Sequence, residues 1–214
     1  KWAVLNFKYW LDEPGPDDMV WWSENHQILF HTPEYTAGLL YPDEVFPNSG
    51  MTGREHVEHA IPLIETWLEH RARFGFAEWH SNPYFVYTLS PLVNLVDFAE
   101  DENIRTRAAM LIDILAFDML SNHYRGLYAT TNGRTYPGRL VGGLSYSTRE
   151  GVYLLTGLAE PARITDLGHS DMIADYLATS DKYYPPAILE AIANDSKTFM
   201  EHRQRDSIDT ADGP

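Results

Sequence analysis

ENIRTRAAMLIDILAFDMLSNH, residues 102–123, is the stretch whose reading decides the fold. Ile104, Ala108, Leu111, Ile112, Leu115 and Met119 recur at three- and four-residue steps and so share one stripe of an α-helix, with none of the alternation a strand needs. The same spacing extends in both directions. Helices are predicted over residues 21–40, 52–73, 83–100 and 102–123, with weaker ones over 147–156, 169–178 and 186–203. Their ends carry physical stop and start signals. Pro42 stops the first; Thr52 and Glu55 form a capping box at the start of the second and Gly75 closes it; Pro83 suits the first turn of the third, which Pro91 is expected to kink. Such helices joined by loops make an all-α protein, an up-and-down array of antiparallel hairpins forming a bundle or part of a ring. The expected organisation is one domain over residues 1–205 and a polar tail at 206–214.

The 214 residues include 31 acidic and 16 basic side chains, nine His, 13 Tyr, 9 Phe, 6 Trp and no Cys. A chain of this length buries a core without disulfide staples, and the lack of Cys excludes thiolate zinc sites, iron–sulfur clusters and cysteine nucleophiles. A net charge of -15 argues against nucleic acid as a partner, because phosphate binding depends on gathered Lys and Arg. No membrane partner is expected either: the best apolar run, 110–120, is broken by Asp113 and Asp118. The chain opens on Lys1-Trp2-Ala3-Val4-Leu5, which reads as the inside of an element, so it is read as a piece of a longer or processed protein.

Residues 124–146 break the helical order with Gly126, Gly133, Gly138, Gly142, Gly143 and Pro137, and a loop of this length inside a compact domain is more often functional than accidental. Tyr124, Tyr128, Tyr136 and Tyr146 are interleaved there with Arg125, Arg134 and Arg139. The wider window 119–149 holds four arginines and no Asp or Glu, where the average composition would place about four acids. One reading pairs these arginines with acids on neighbouring helices. The other makes the window an anion-binding surface, with guanidinium forks for carboxylate, sulfate or phosphate and tyrosines to stack on rings.

Two further clusters carry chemistry. Trp21-Trp22-Ser23-Glu24-Asn25-His26-Gln27 puts polar groups beside two tryptophans at a helix start, where Ser23 either caps the helix or Asn25 and His26 face a cleft floored by Trp21 or Trp22. Glu78, Trp79, His80 and Tyr84 fall on the connection between the second and third helices, a favoured position for binding groups. Other patterns are decoys. Glu55-His56-Val57-Glu58-His59 lacks the His-Glu-x-x-His order of a zinc protease and reads as a solvated helix face. Asp97 with Asp101, and Asn194-Asp195 with Thr198 and Glu201, miss the spacing of magnesium-binding motifs.

The ordered set Ser23-Glu24-Asn25-His26, Glu78-Trp79-His80 with Tyr84, and His123-Tyr124-Arg125 through Gly133-Arg134-Thr135-Tyr136 resembles the polysaccharide lyases built on an (α/α) toroid. Its spacing is most similar to the alginate and glucuronan lyases of polysaccharide lyase family 38, and more distantly to heparinase II/III-like enzymes. The resemblance covers about residues 20–140. It implies a secreted or periplasmic enzyme that cleaves an anionic, uronate-containing polysaccharide by β-elimination, without metal or organic cofactor. The implied catalytic residues are Asn25 and His80 on the substrate carboxylate, with His80 also a possible base, Tyr136 as acid and base, and Arg134 beside it. Tyr124 and Tyr128 are the alternative acid–base tyrosines. Substrate contacts are expected from Trp22, His26, Trp79, Tyr84, Tyr124, Arg125 and Arg139.

The chemistry suits these residue types. The proton α to a carboxylate is only weakly acidic until hydrogen-bond donors neutralise the carboxylate, and a tyrosine held near an arginine has its pKa lowered toward the range of a useful base. Two competing readings are a glycoside hydrolase with Glu24 and Glu78 as its carboxylate pair, and a noncatalytic carbohydrate-binding or scaffold fragment.

Overall fold

The computed structural model describes residues 1–128, 130–131, 133–134, 136–137, 147–157, 172–195, 199 and 201–203. Arg139, Tyr146 and the tail 206–214 lie outside the described residues. The helices, in chain order, are α1 (Trp2–Leu5), α2 (Glu24–Leu40), α3 (Gly53–Phe74), α4 (Phe85–Phe98), α5 (Glu102–Ser121), α6 (Ser147–Thr156), α7 (Met172–Thr179) and α8 (Ala187–Ala193). Between α5 and α6 a two-stranded antiparallel ribbon pairs β1 (His123–Tyr124) with β2 (Leu127–Tyr128). The described residues are thus mostly helical, as the apolar period predicts. No helix among them is long and apolar enough to cross a membrane.

The end signals act as their chemistry requires. Thr52 accepts the Glu55 amide while the Glu55 carboxylate reaches back to the Thr52 amide, the reciprocal capping box. Gly75, at φ 74°, turns the chain out of α3 in a backbone region that favours glycine. Asp101 caps α5 by accepting from the amides of Asn103 and Ile104. Two elements depart from expectation. The last helix stops at Ala193, ten residues early, where Asn194 turns its side-chain amide back onto the Glu190 carbonyl. The ribbon was hidden inside an apparent loop; its turn is Arg125-Gly126, both at positive φ, the conformation that matches a two-residue hairpin to strand twist.

Helices α2 and α3 are antiparallel. Gly38 at the end of α2 meets Gly53 at the start of α3, while Trp67 Nε1, near the end of α3, donates to the Glu24 carbonyl at 2.8 Å. The three-residue link from α4 to α5 reverses the chain in the same way. The two hairpins lie side by side, α2 on α4 and α3 on α5. Arg107 on α5 donates to the Glu69 carboxylate of α3 at 3.1 Å, and the Tyr35 hydroxyl of α2 accepts from the Glu100 amide just past α4. One core runs from Ile28 and Tyr35 through Ile64, Leu68, Leu92, Leu111 and Leu115 to Val152, Ile173 and Leu189. A smaller cluster of Leu5, Tyr9, Ala37 and Phe46 seats the N-terminal segment on the α2–α3 turn.

At that turn the backbones touch. A Cβ on Gly53 would collide with the Tyr41 and Gly38 carbonyls, and one on Gly38 with the Gly53 carbonyl. Gly53→Ala is therefore expected to destabilise the fold by about 1–3 kcal/mol in urea unfolding, since the backbone must part to admit the methyl group. The neighbouring histidines correct the sequence reading. His56 is fully buried and hydrogen-bonded to Glu34, so residues 55–59 do not form a solvated face. Helix α3 is covered on two sides, by α2 and by the N-terminal segment, and the second cover is invisible to a single apolar stripe.

Candidate functional site

The N-terminal ends of α2 and α4 and the segment around residue 134 enclose a cavity of about 410 Å³. Trp22, Ser23, Asn25, His26, Glu78, Trp79, Tyr84 and Arg134 line it, with Val20, Ala77, Ser81 and Gly133 between them. Both sequence clusters and one arginine of the acid-free window therefore meet in a single place.

Ser23 is the N-cap of α2 but makes no capping bond. Its hydroxyl donates instead to Asn25 Oδ1 at 2.6 Å and accepts from His26 Nδ1 at 2.5 Å. This orients the Asn25 amide, whose Nδ2 donor makes no hydrogen bond among the described residues, and holds the ring of His26, whose pKa burial lowers. The uncapped end of α2, with its partial positive charge, opens on the same cavity. Trp22 is three-quarters exposed at the rim, whereas Trp21 belongs to the interior against Trp10 and Phe30.

Residues 77–84 form the hub. The buried Glu24 carboxylate pairs with Arg71 and accepts the amides of Ala77 at 2.7 Å and Glu78 at 3.1 Å, tying this segment to α2 and α3. Gly133 donates its amide to the Trp79 carbonyl at 3.1 Å, Tyr128 bonds His80, and Thr148 donates to Asn82. The non-glycine residues His80 and Arg134 both sit in the left-handed region, φ 44° and 53°, held there by these cross-links.

Arg134 Nη1 donates to the Tyr84 hydroxyl at 2.9 Å, and that hydroxyl lies 2.7 Å from the hydroxyl of Tyr136. Neither Arg134 nor Arg125 forms an ion pair among the described residues, although Arg134 lies close enough to Glu78 to lower its pKa. Arg149 does have an acid nearby, Glu150 at 3.9 Å. Burial and the bond to Tyr136 hold the Tyr84 pKa above 10.0, outweighing the lowering pull of Arg134.

Glu78 is the most perturbed acid of the cavity. Burial first, and then the nearby Glu24 charge, push its pKa from 4.5 to about 7 against the opposing pull of Arg134 and Arg71, and its Oε2 is buried without a hydrogen-bond partner. Below about pH 7 it is a neutral donor. The unfolded chain ionises near 4.5, so the folded form holds the proton through the interval between, and stability falls as pH rises through about 7. Glu78→Gln is expected to be more stable than the parent at pH 8 by on the order of 1–2 kcal/mol, after discount for screening at the cavity mouth, with the gap closing toward pH 5. Paired urea titrations at the two pH values measure it.

Not every predicted residue joins this cavity. His80 does not line it: it is 7% exposed, its Nδ1 is bonded to the Tyr128 hydroxyl, and burial and His202 lower its pKa. Tyr128 is buried too, and burial and Asp118 drive its pKa far above the usual tyrosine value. Tyr124 and Arg125 stack on each other at 5.3 Å and line a different cavity with Ile192 and Phe199. Tyr136 reaches the site through its bond to Tyr84, and Arg139 lies outside the described residues. Comparison with family models, with curated proteins and with solved structures returns no match for this chain.

Proposed function

We propose that this chain carries the substrate site of a polysaccharide lyase acting on a uronate-containing polymer of alginate or glucuronan type, on one side of an (α/α) toroid outside the cytoplasm. The observation that carries the reading is the Arg134–Tyr84–Tyr136 group: a cation with no ion pair among the described residues, joined to two phenols, at a cavity also lined by Asn25 and the N-terminal end of α2. The side-by-side packing of two helical hairpins supports this reading, since a ring of hairpins would be built from such pairs.

In this reading the uronate carboxylate is neutralised by Asn25 Nδ2, the positive end of α2 and the protonated form of Glu78. Arg134 donates to the Tyr84 oxygen, and with the Tyr84 proton turned to Tyr136 the Tyr136 anion has a donor held in place by the arginine. As phenolate Tyr136 takes the proton α to the carboxylate. The C–H electron pair becomes the new C=C bond, the glycosidic C–O bond on the neighbouring carbon breaks, and the proton on Tyr136 passes to the leaving oxygen, so none is consumed. Trp22 and Trp79 offer ring faces to the sugars. His80 has a positioning role, holding Trp79 and the ribbon together.

The paired-carboxylate hydrolase is less well supported. Glu24 is committed to Arg71 and two amides, which leaves Glu78 as the one acid among the described lining residues. Incubation with alginate, glucuronan and a neutral glucan, following the ultraviolet absorbance of the unsaturated product, tests the assignment. The expected result is absorbance from a uronate polymer and none from the glucan. New reducing ends without absorbance would mean hydrolysis, and binding without new ends a noncatalytic module.

A further inference from the structure

Away from this cavity, two histidines of α3 belong to a second constellation. His56 and His59 lie one turn apart on α3 and face Glu34 of α2, whose Oε1 is 2.8 Å from His56 Nδ1 and 2.7 Å from His59 Nδ1. Glu13, from the segment before α2, closes the group with its Oε1 4.0 Å from His56 Nδ1. Glu34 and His56 are 0% exposed and Glu13 is 6% exposed. Each carboxylate keeps one buried oxygen, Glu13 Oε1 and Glu34 Oε2, with no hydrogen-bond partner. Burying two carboxylates with unmet oxygens is costly unless a cation joins them.

We propose that Glu13, Glu34 and His56 form a binding site for a single divalent first-row transition-metal ion, with Zn²⁺ as the probe, that fastens the N-terminal segment to the α2–α3 hairpin. Ligand atoms of the three residues lie within 4.8 Å of one another, and two ligands on one such ion sit about 3 Å apart, so small side-chain rotations complete the site. The imidazole selects zinc-type ions over calcium or magnesium. An outer contact sets the ligating form of the histidine. Ser49 Oγ lies 2.8 Å from His56 Nε2 and accepts the Met51 amide at 3.1 Å, while the Phe46 carbonyl takes its own proton. Ser49 can therefore accept from Nε2–H, and in that form the Nδ1 lone pair is turned toward Glu34 and available to a cation, which would replace the proton that otherwise joins the two. Asn48 in turn donates to the other Glu13 oxygen at 3.0 Å.

The site is independent of the cavity chemistry, and its test reads metal rather than turnover. Chelator-treated protein, shown to be folded by circular dichroism, is titrated calorimetrically with Zn²⁺, and its metal content is measured after dialysis. One equivalent is expected, with a rise in Tm that EDTA reverses. Glu13→Gln is expected to weaken binding by at least about tenfold and Ser49→Ala by about tenfold, while Glu58→Gln, on the exposed side of α3, leaves it unchanged. Co²⁺ in place of zinc should show visible d–d bands that Glu13→Gln loses. If Glu13→Gln does not fold, Ser49→Ala carries the comparison. Failure of the folded parent to bind zinc overturns the proposal; equal binding by the parent, Glu13→Gln and Ser49→Ala overturns it as well.

Discussion

Replacing Tyr136 with phenylalanine is expected to lower the rate of unsaturated-uronate formation by about 10²–10⁴-fold, the range a positioned proton-transfer group contributes. The change removes one oxygen from an exposed side chain, so the fold should be untouched. It leaves the Tyr84 hydroxyl bonded to Arg134 and removes the base in the proposed elimination. Tyr84→Phe should act differently. It keeps the base but deletes the donor that stabilises its anion, so the pH–rate profile shifts upward and activity recovers in part at high pH. Arg134→Ala is expected to raise KM for an anionic polymer more than it lowers kcat. Initial rates against pH for the three variants separate these roles, and full activity in Tyr136→Phe would remove that residue from the mechanism even if the lyase reading stood.

Arg71→Met is expected to cost about 3–5 kcal/mol of folding stability, the largest structural effect of any single change considered. Glu24 is buried, and burial already raises its pKa against the pull of Arg71 and of the amides of Ala77 and Glu78. Without Arg71 the carboxylate either remains as an uncompensated buried charge or takes up a proton, and the second outcome predicts that the deficit shrinks as pH falls. The change should also loosen residues 77–84, because Glu24 is the anchor through which that segment is held to α2 and α3. Chemical denaturation measures the first effect. Hydrogen exchange at the Ala77 and Glu78 amides measures the second, and unaltered protection there would show that the segment is held mainly by Tyr128, Thr148 and Gly133.

How far these features are legible in the amino-acid order depends on the range of the interaction behind each. The capping box of Thr52 and Glu55, the Gly75 turn and the Asp101 cap are made within a few residues and can be read directly. The Arg125-Gly126 hairpin is equally local, and its signal, a glycine in a two-residue turn, was present but masked by the surrounding loop composition. The clusters at 21–27 and 78–84 stand out because an amphipathic helix has no use for such groups together, and the structure does bring most of them to one cavity. His80 shows the limit. Its residue type and neighbours resemble a binding histidine, yet Tyr128 of the ribbon, 48 residues later, covers it and occupies its ring nitrogen. Glu78 shows the converse, since its high proton affinity comes from burial and from Glu24, 54 positions away.

By itself the sequence determined the helical class, the positions of the main helices and the places where unusual chemistry gathers, because periodicity and capping are properties of neighbouring residues. Only the tertiary structure decided which of those residues share a cavity, that Arg134 meets two tyrosines there beside Glu78, and that His56 lies buried between carboxylates. Burial and charge proximity set those outcomes, and both are fixed by packing between segments that the chain order leaves far apart.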